Sequence, residues 1–226
     1  MKSTVKVADL ELFKHIDSRV AIIVTDSVAG FNGVLHVFMN NKTLSAWLAE
    51  KRTEYPDLDF KYVEDFLGTA VAFIIDNNFD GLSVHSVVET SFDVSRDDLL
   101  PFAPLVDNFK LLTKFNHGKM SVAELALQMR DTKIYFIGSI PPKGEIMTKK
   151  EMVFGLTLIK RKTHDEEYEA LAAFLTPESA LAFADKAVPV SSCALSGFAA
   201  FAGIFGPIVI EPQRSFSVEF SPIAFL

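Results

Sequence analysis

The chain has 226 residues, of which 49% are hydrophobic and 23% charged, with 22 basic and 29 acidic side chains and a formal net charge of -7. That is the balance of a globular chain long enough for one or two domains with buried cores, and it excludes a disordered, collagen-like or disulfide-stapled polymer. The acidic balance without a basic stripe argues against nucleic acid, and 21 Phe against one Trp and four Tyr assign the aromatic content to packing rather than hydrogen bonding.

The N-terminal stretch MKSTVKVADLELFKHIDSR has no apolar h-region and no small-residue cleavage site, so it does not read as a signal peptide, and a cytoplasmic location is expected. Ile16-Asp17-Ser18-Arg19-Val20 reads as the end of a helix entering the buried strand AIIVT. DSVAGFNG then suits a hairpin turn, and VLHVF a second strand. Asn40 or Asn41 caps a helix running to Ala49. The apolar run Ala70 to Asn78 is predicted as a strand closed by an acidic residue. It leads into Asp76-Asn77-Asn78-Phe79-Asp80-Gly81, which matches the opening of a calcium loop. Position 12 of that loop is Val87 where a bidentate Glu is needed, so a turn is the reading. Leu100 to Lys119 holds Pro101, Pro104 and Gly118 yet is too apolar for a free linker.

In the second half, Ser121-Val122-Ala123-Glu124 is a capping box, and Arg130-Asp131-Thr132-Lys133-Ile134 again leads from a helix into a strand. A strand-like run, MVFGLTLI, follows between charged residues. Lys149, Lys150, Lys160, Arg161 and Lys162 form the only basic cluster; a solvated hairpin protecting a sheet edge is one reading and a contact for an acidic partner the other. Thr176-Pro177-Glu178 opens a helix with a cap, a proline at its first position and an acid at the positive end of the dipole. Ala187 to Ile210 carries no charge, but its prolines, serines and glycines favour a buried helix from Cys193 to Phe205 and a buried strand from Ile208 to Glu211 over a membrane span. Cys193, the only cysteine, is expected to be a buried thiol. The apolar tail with Phe216, Phe220 and Phe225 is expected to be covered by the fold, with a homodimer contact as the alternative.

The two halves resemble each other. Phe38 falls on Phe174, Met39 on Leu175 and Trp47 on Phe183; Ala70 to Asn78 falls near Phe205 to Gln213, and Ser91-Phe92-Asp93-Val94 resembles Ser215-Phe216-Ser217-Val218. The predicted class is therefore α+β, as two tandem related α/β units of about 100 residues with mixed sheets flanked by helices. The units are placed at residues 1–105 and 120–226, with 106–119 connecting them. Phe174-Leu175-Thr176-Pro177-Glu178 through Phe183, with Ile208 to Pro212 and Ser215-Phe216-Ser217-Val218, resembles the SseB family, the bacterial proteins named for enhanced serine sensitivity. Asn40-Asn41-Lys42 departs from the Ser/Thr-Pro-Glu step in the first half. The resemblance implies a cytoplasmic α+β protein with no established molecular activity, and it supplies no active-site residues.

A search for chemistry yields no assigned catalytic, cofactor or metal residue. There is no G-x-S-x-G elbow, no phosphate-binding glycine loop and no Cys or His pair at metal-ligand spacing. His15, His36, His85, His117 and His164 read as surface or satisfied histidines, and Ala172 takes the place of His36 in the second half. Asp93/Asp97/Asp98 and Asp165/Glu166/Glu167/Glu169 read as acidic helix starts on solvated faces. The functional expectation is a non-enzymatic protein–protein interaction module with an unknown protein partner, and with neither nucleic acid nor membrane as a target. The alternative is a small-ligand-binding protein or enzyme with its site in the cleft between the halves.

Overall fold

A computed structural model of the chain describes residues 12, 14–24, 33–86, 91–138, 156–162, 166–184, 188–202 and 205–225. The chain is α+β, with mixed sheets flanked by helices. It divides into two compact units, Met1–Lys110 and Leu111–Leu226.

The first unit is a five-stranded sheet. Its strands are β1 (Arg19–Val24), β2 (Val34–Phe38), β3 (Lys61–Phe66), β4 (Gly81–His85) and β5 (Phe92–Ser95), in the order β3-β1-β2-β4-β5. β1 runs antiparallel to β2 and β3, β2 is parallel to β4, and β4 is antiparallel to β5. Helix α1 (Asn41–Glu54) starts where Asn40 accepts from the amides of Lys42 and Thr43, two of the donors that a helix start leaves unpaired. Helix α2 (Leu67–Asn77) crosses from β3 to β4 and ends on left-handed Asn78.

Strand alternation sorts the sheet into two faces. One presents Val20, Ile22, Leu35, Val37, Leu82 and Val84, all buried. The other presents Ala21, Ile23 and Phe38, which form a core with Leu44 and Leu48 of α1 and with Phe60. On β2, β4 and β5 this second face also carries His36, Ser83, His85 and Asp93. A short helix α3 (Arg96–Leu99) and a 3-10 turn lead into α4 (Ala103–Asn116), within which the division between the units falls. The segment predicted as a connection thus folds as a helix.

In the second unit the end of α4 is followed by α5 (Val122–Met129), which carries the capping box expected of Ser121 and Glu124. Its strands are β6 (Lys133–Ile137), β7 (Leu158–Lys162), β8 (Glu167–Ala173), β9 (Val190–Ala194), β10 (Ile208–Ile210) and β11 (Val218–Phe220). One sheet has the order β11-β10-β8-β7, and β6 pairs with β9. A Tyr135–Phe174 bridge ties β6 to the end of β8. Helices α6 (Pro177–Phe183, capped by Thr176) and α7 (Leu195–Ala202) follow β8 and β9.

The pairings β9-β6-β8-β10-β11, in which β6 meets β8 through a single bridge, have the same senses as β3-β1-β2-β4-β5, while β7 on β8 has no counterpart in the first unit. Matching hydrogen bonds lie at matching places. The amides of Leu67 and Gly68 donate to the carbonyls of Ser18 and Ile16; those of Leu195 and Ser196 donate to Thr132 and Arg130.

Three expectations are corrected. Ala70 to Asn78 is not a strand but most of α2: a short apolar run has no periodicity that separates a buried strand from a helix buried on most sides, and the strand that fills the frame is β4. The helix predicted from Cys193 starts only at Leu195, because Val190–Ala194 pairs residue by residue with β6. The uncharged stretch is thereby split into strand, helix and strand, and among the described residues no helix is long and apolar enough to cross a membrane. Asp93 lies on β5 and Glu167 and Glu169 on β8, not at helix starts. The C-terminal tail docks within its own unit, where β11 pairs with β10 and Phe216, Val218 and Phe220 are buried.

Candidate functional site

The basic cluster is only partly described, since Lys149 and Lys150 lie outside the described residues. On β7, Lys160 and Lys162 face the solvent opposite Glu169 and Glu167 of β8. Arg161 turns the other way, and its Nε donates to Glu219 at 3.2 Å while the Tyr168 hydroxyl donates to the same carboxylate. Lys160 and Lys162 therefore have acidic neighbours across the ladder, and Arg161 reaches Glu219 of β11. Cys193 is half-buried on β9, and burial pushes its thiol above the ordinary range.

Two places in the first unit stand out. The first is the edge of the sheet. β3 ends the strand order, and Lys61, Tyr62, Val63 and Glu64 are all exposed in succession. Tyr62 and Val63 are 47% and 48% exposed, on opposite faces of the strand. Lys61 pairs across from Val24, itself exposed at the end of β1. Beside Glu64 lies an open hollow of about 140 Å³, walled by Arg19, Ala21, Phe38, Asn40 and Asn41. Asn40 uses its side-chain oxygen as the α1 cap, but its buried Nδ2 has no acceptor among the described residues. Arg19 lies over the Phe66 ring at 5.0 Å.

The second place is a pair of histidines. His36 on β2 and His85 on β4 lie 49 residues apart, yet the parallel register that matches Phe38 with His85 brings His36 Nδ1 within 3.0 Å of His85 Nε2. Ser83 Oγ is 3.3 Å from the same Nε2, and Ser91 Oγ is 3.1 Å from His85 Nδ1. The Phe38 ring stacks on His85 at 4.4 Å between centroids, and the Trp47 ring of α1 lies 5.2 Å from His36. Burial lowers the His36 pKa to about 4, helped by His85 and Lys51 and opposed by Asp93. Burial also lowers His85, against the pull of Asp93. Burial thus favours the neutral form of both rings, and one ring donates to the other across the 3.0 Å contact. No cluster of three or more His, Cys, Asp or Glu side chains suited to a metal occurs among the described residues.

Neither place was assigned from sequence. The signal for the histidine pair lay in β4, which the misplaced strand at Ala70 to Asn78 concealed. With Gly81–His85 set parallel to Val34–Phe38, alternation places His36 and His85 on one face. Of Asp76 to Gly81, the first two residues end α2, Asn78 to Asp80 make the turn and Gly81 opens β4, so a helix stands where a strand was expected.

No family model and no curated protein matches the chain. Among solved structures it is similar to Anabaena Tic22, described by protein transport, over 84% of each chain at 10% identity with a TM-score of 0.22.

Proposed function

We propose that the protein is a non-enzymatic protein–protein interaction module that docks an extended segment of a partner protein along β3. The observation that carries this reading is the exposed edge of the five-stranded sheet, where Tyr62 and Val63 present apolar surface to either side. An edge strand can offer backbone donors and acceptors to an incoming strand, whose alternate side chains then meet the two faces of the sheet. On one face, a docked side chain would enter the hollow between Glu64, Arg19 and Asn40, where the unpaired Asn40 amide can donate to a polar group. Membership of the SseB family and a cytoplasmic location belong to the same proposal.

Peptides selected from a random extended-peptide library by display on phage test it. Bound peptide is expected to slow amide hydrogen exchange at residues 61–66, and Val63→Asp to weaken binding roughly tenfold, the effect of losing one well-buried apolar contact. Selected peptides that leave exchange on β3 unchanged, or that bind the variant equally well, would sink the reading.

A further inference from the structure

We propose that the open hollow beside Glu64 is a binding site for a free α-amino acid with a small side chain. Two charges that do not meet point to it. Arg19 on β1 pairs across from Phe66 on β3, and Ala21 from Glu64, so Arg19 and Glu64 stand diagonally across neighbouring strands on one face of the sheet. Diagonal positions are about 7–8 Å apart, within reach of long side chains. Yet neither side chain forms an ion pair among the described residues. The Arg19 guanidinium lies over the Phe66 ring instead, and Arg19 and Glu64 both line the hollow.

These groups set the chemistry of a ligand. A guanidinium offers paired donors to a carboxylate, and a carboxylate accepts from an ammonium group. The two demands together describe a small zwitterion. Asn40 lines the same hollow, and its buried Nδ2 has no acceptor among the described residues, a donor that a ligand carboxylate would satisfy. The positive end of α1 opens there too, with no acidic residue in its first turn. The ligand carboxylate is therefore assigned to the side of Arg19 and Asn40, and its ammonium group to Glu64. Size selects the side chain, because about 140 Å³ is the share of roughly five water molecules in the liquid. Ala21 and Phe38 supply apolar wall for that side chain. The amino acid and a side chain docked from β3 would fill the hollow in turn. The proposal goes beyond the β3 reading and does not rest on it, since the free ligand needs no strand pairing.

Proton–nitrogen correlation NMR of the full chain, titrated with L-alanine and without peptide, tests the site. Saturable shifts are expected at the Asn40 side-chain amide and at the backbone amides of Ala21 and Glu64, with a Kd on the order of 1 mM for so few ligand atoms. Propionate lacks the ammonium group and ethylamine lacks the carboxylate. Each should bind at least roughly tenfold more weakly, as loss of a hydrogen-bonded charge demands. Arg19→Gln and Glu64→Gln should weaken L-alanine by a similar factor, while Arg52→Gln, at an exposed position on α1, leaves binding unchanged. The two analogues act on the wild-type chain, which keeps the test open even where a variant fails to fold. Unsaturable shifts, shifts confined to other residues, propionate or ethylamine binding as tightly as L-alanine, or unchanged binding in both variants would overturn the proposal. Peptide docking is read separately from exchange on β3, so either reading can fail alone.

Discussion

His36 shows how one side chain links packing to solution behaviour. In the fold its ring is half-buried beside Trp47 and His85, so protonation is disfavoured and its pKa lies near 4 instead of 6.5. The unfolded chain takes up that proton more readily. The stabilising preference for the neutral ring is therefore complete above about pH 6.5 and is lost as the pH falls toward 4. After allowance for solvent screening, the loss amounts to roughly 2 kcal/mol. Urea unfolding of the wild type and of His36→Gln between pH 7 and pH 4 should give curves that converge on the acidic side, because carboxylate titration is common to both. Parallel curves would show that the ring titrates freely in the folded protein.

Glycines on two helices give opposite expectations at the scale of an element. Gly68 sits in the first turn of α2, where an added Cβ would lie 2.6 Å from the Phe109 ring and 2.8 Å from Ile16. Both neighbours are buried and have little room to retreat. Gly68→Ala should destabilise by about 1–2 kcal/mol, the overpacking cost less the gain in helix propensity. Gly197, in α7, has nothing within 4 Å of such a carbon. Gly197→Ala should stabilise by about 0.5–1 kcal/mol. Denaturant midpoints of the two variants, moving in opposite directions, check the packing of both helices. The same scale shows what the residues reveal in advance. Helix starts with polar caps were legible, since Asn40, Ser121 and Thr176 satisfy local backbone donors without help from distant chain. α2 was not, because its N-cap residue, Phe66, makes no side-chain cap bond and its first amides are satisfied by the carbonyls of Ser18 and Ile16, far upstream. The candidate sites were illegible for a related reason: a strand's exposure and the meeting of two histidines depend on register, which is a property of pairs of strands.

For the molecule as a whole, the common frame of the two units makes its own prediction. Amides at the start of a helix ordinarily lack intrahelical partners and exchange quickly. Those of Leu67, Gly68, Leu195 and Ser196 are bonded to carbonyls just before β1 and β6, at 2.8 to 3.0 Å. All four should be protected from hydrogen exchange, whereas Lys42, whose amide bonds only to the Asn40 side-chain oxygen at an exposed position, should exchange faster. Fast exchange at one pair but not the other would mean that the frame holds in one unit alone. In the first half β4 comes after an apolar helix that has the composition of a strand, and in the second β9 runs straight into α7, so neither boundary was legible.

One difference inside that frame has a genetic side. The amide of Met39 is held by the main-chain carbonyl of His85, and the corresponding amide of Leu175 by a carboxylate oxygen of Glu211, whose own carbonyl is engaged by the Arg214 amide and whose φ is +52°. A contact that every amino acid supplies in one half is, in the other, a contact that a single codon change can erase. Drift can reach the second half at a point where the first is immune.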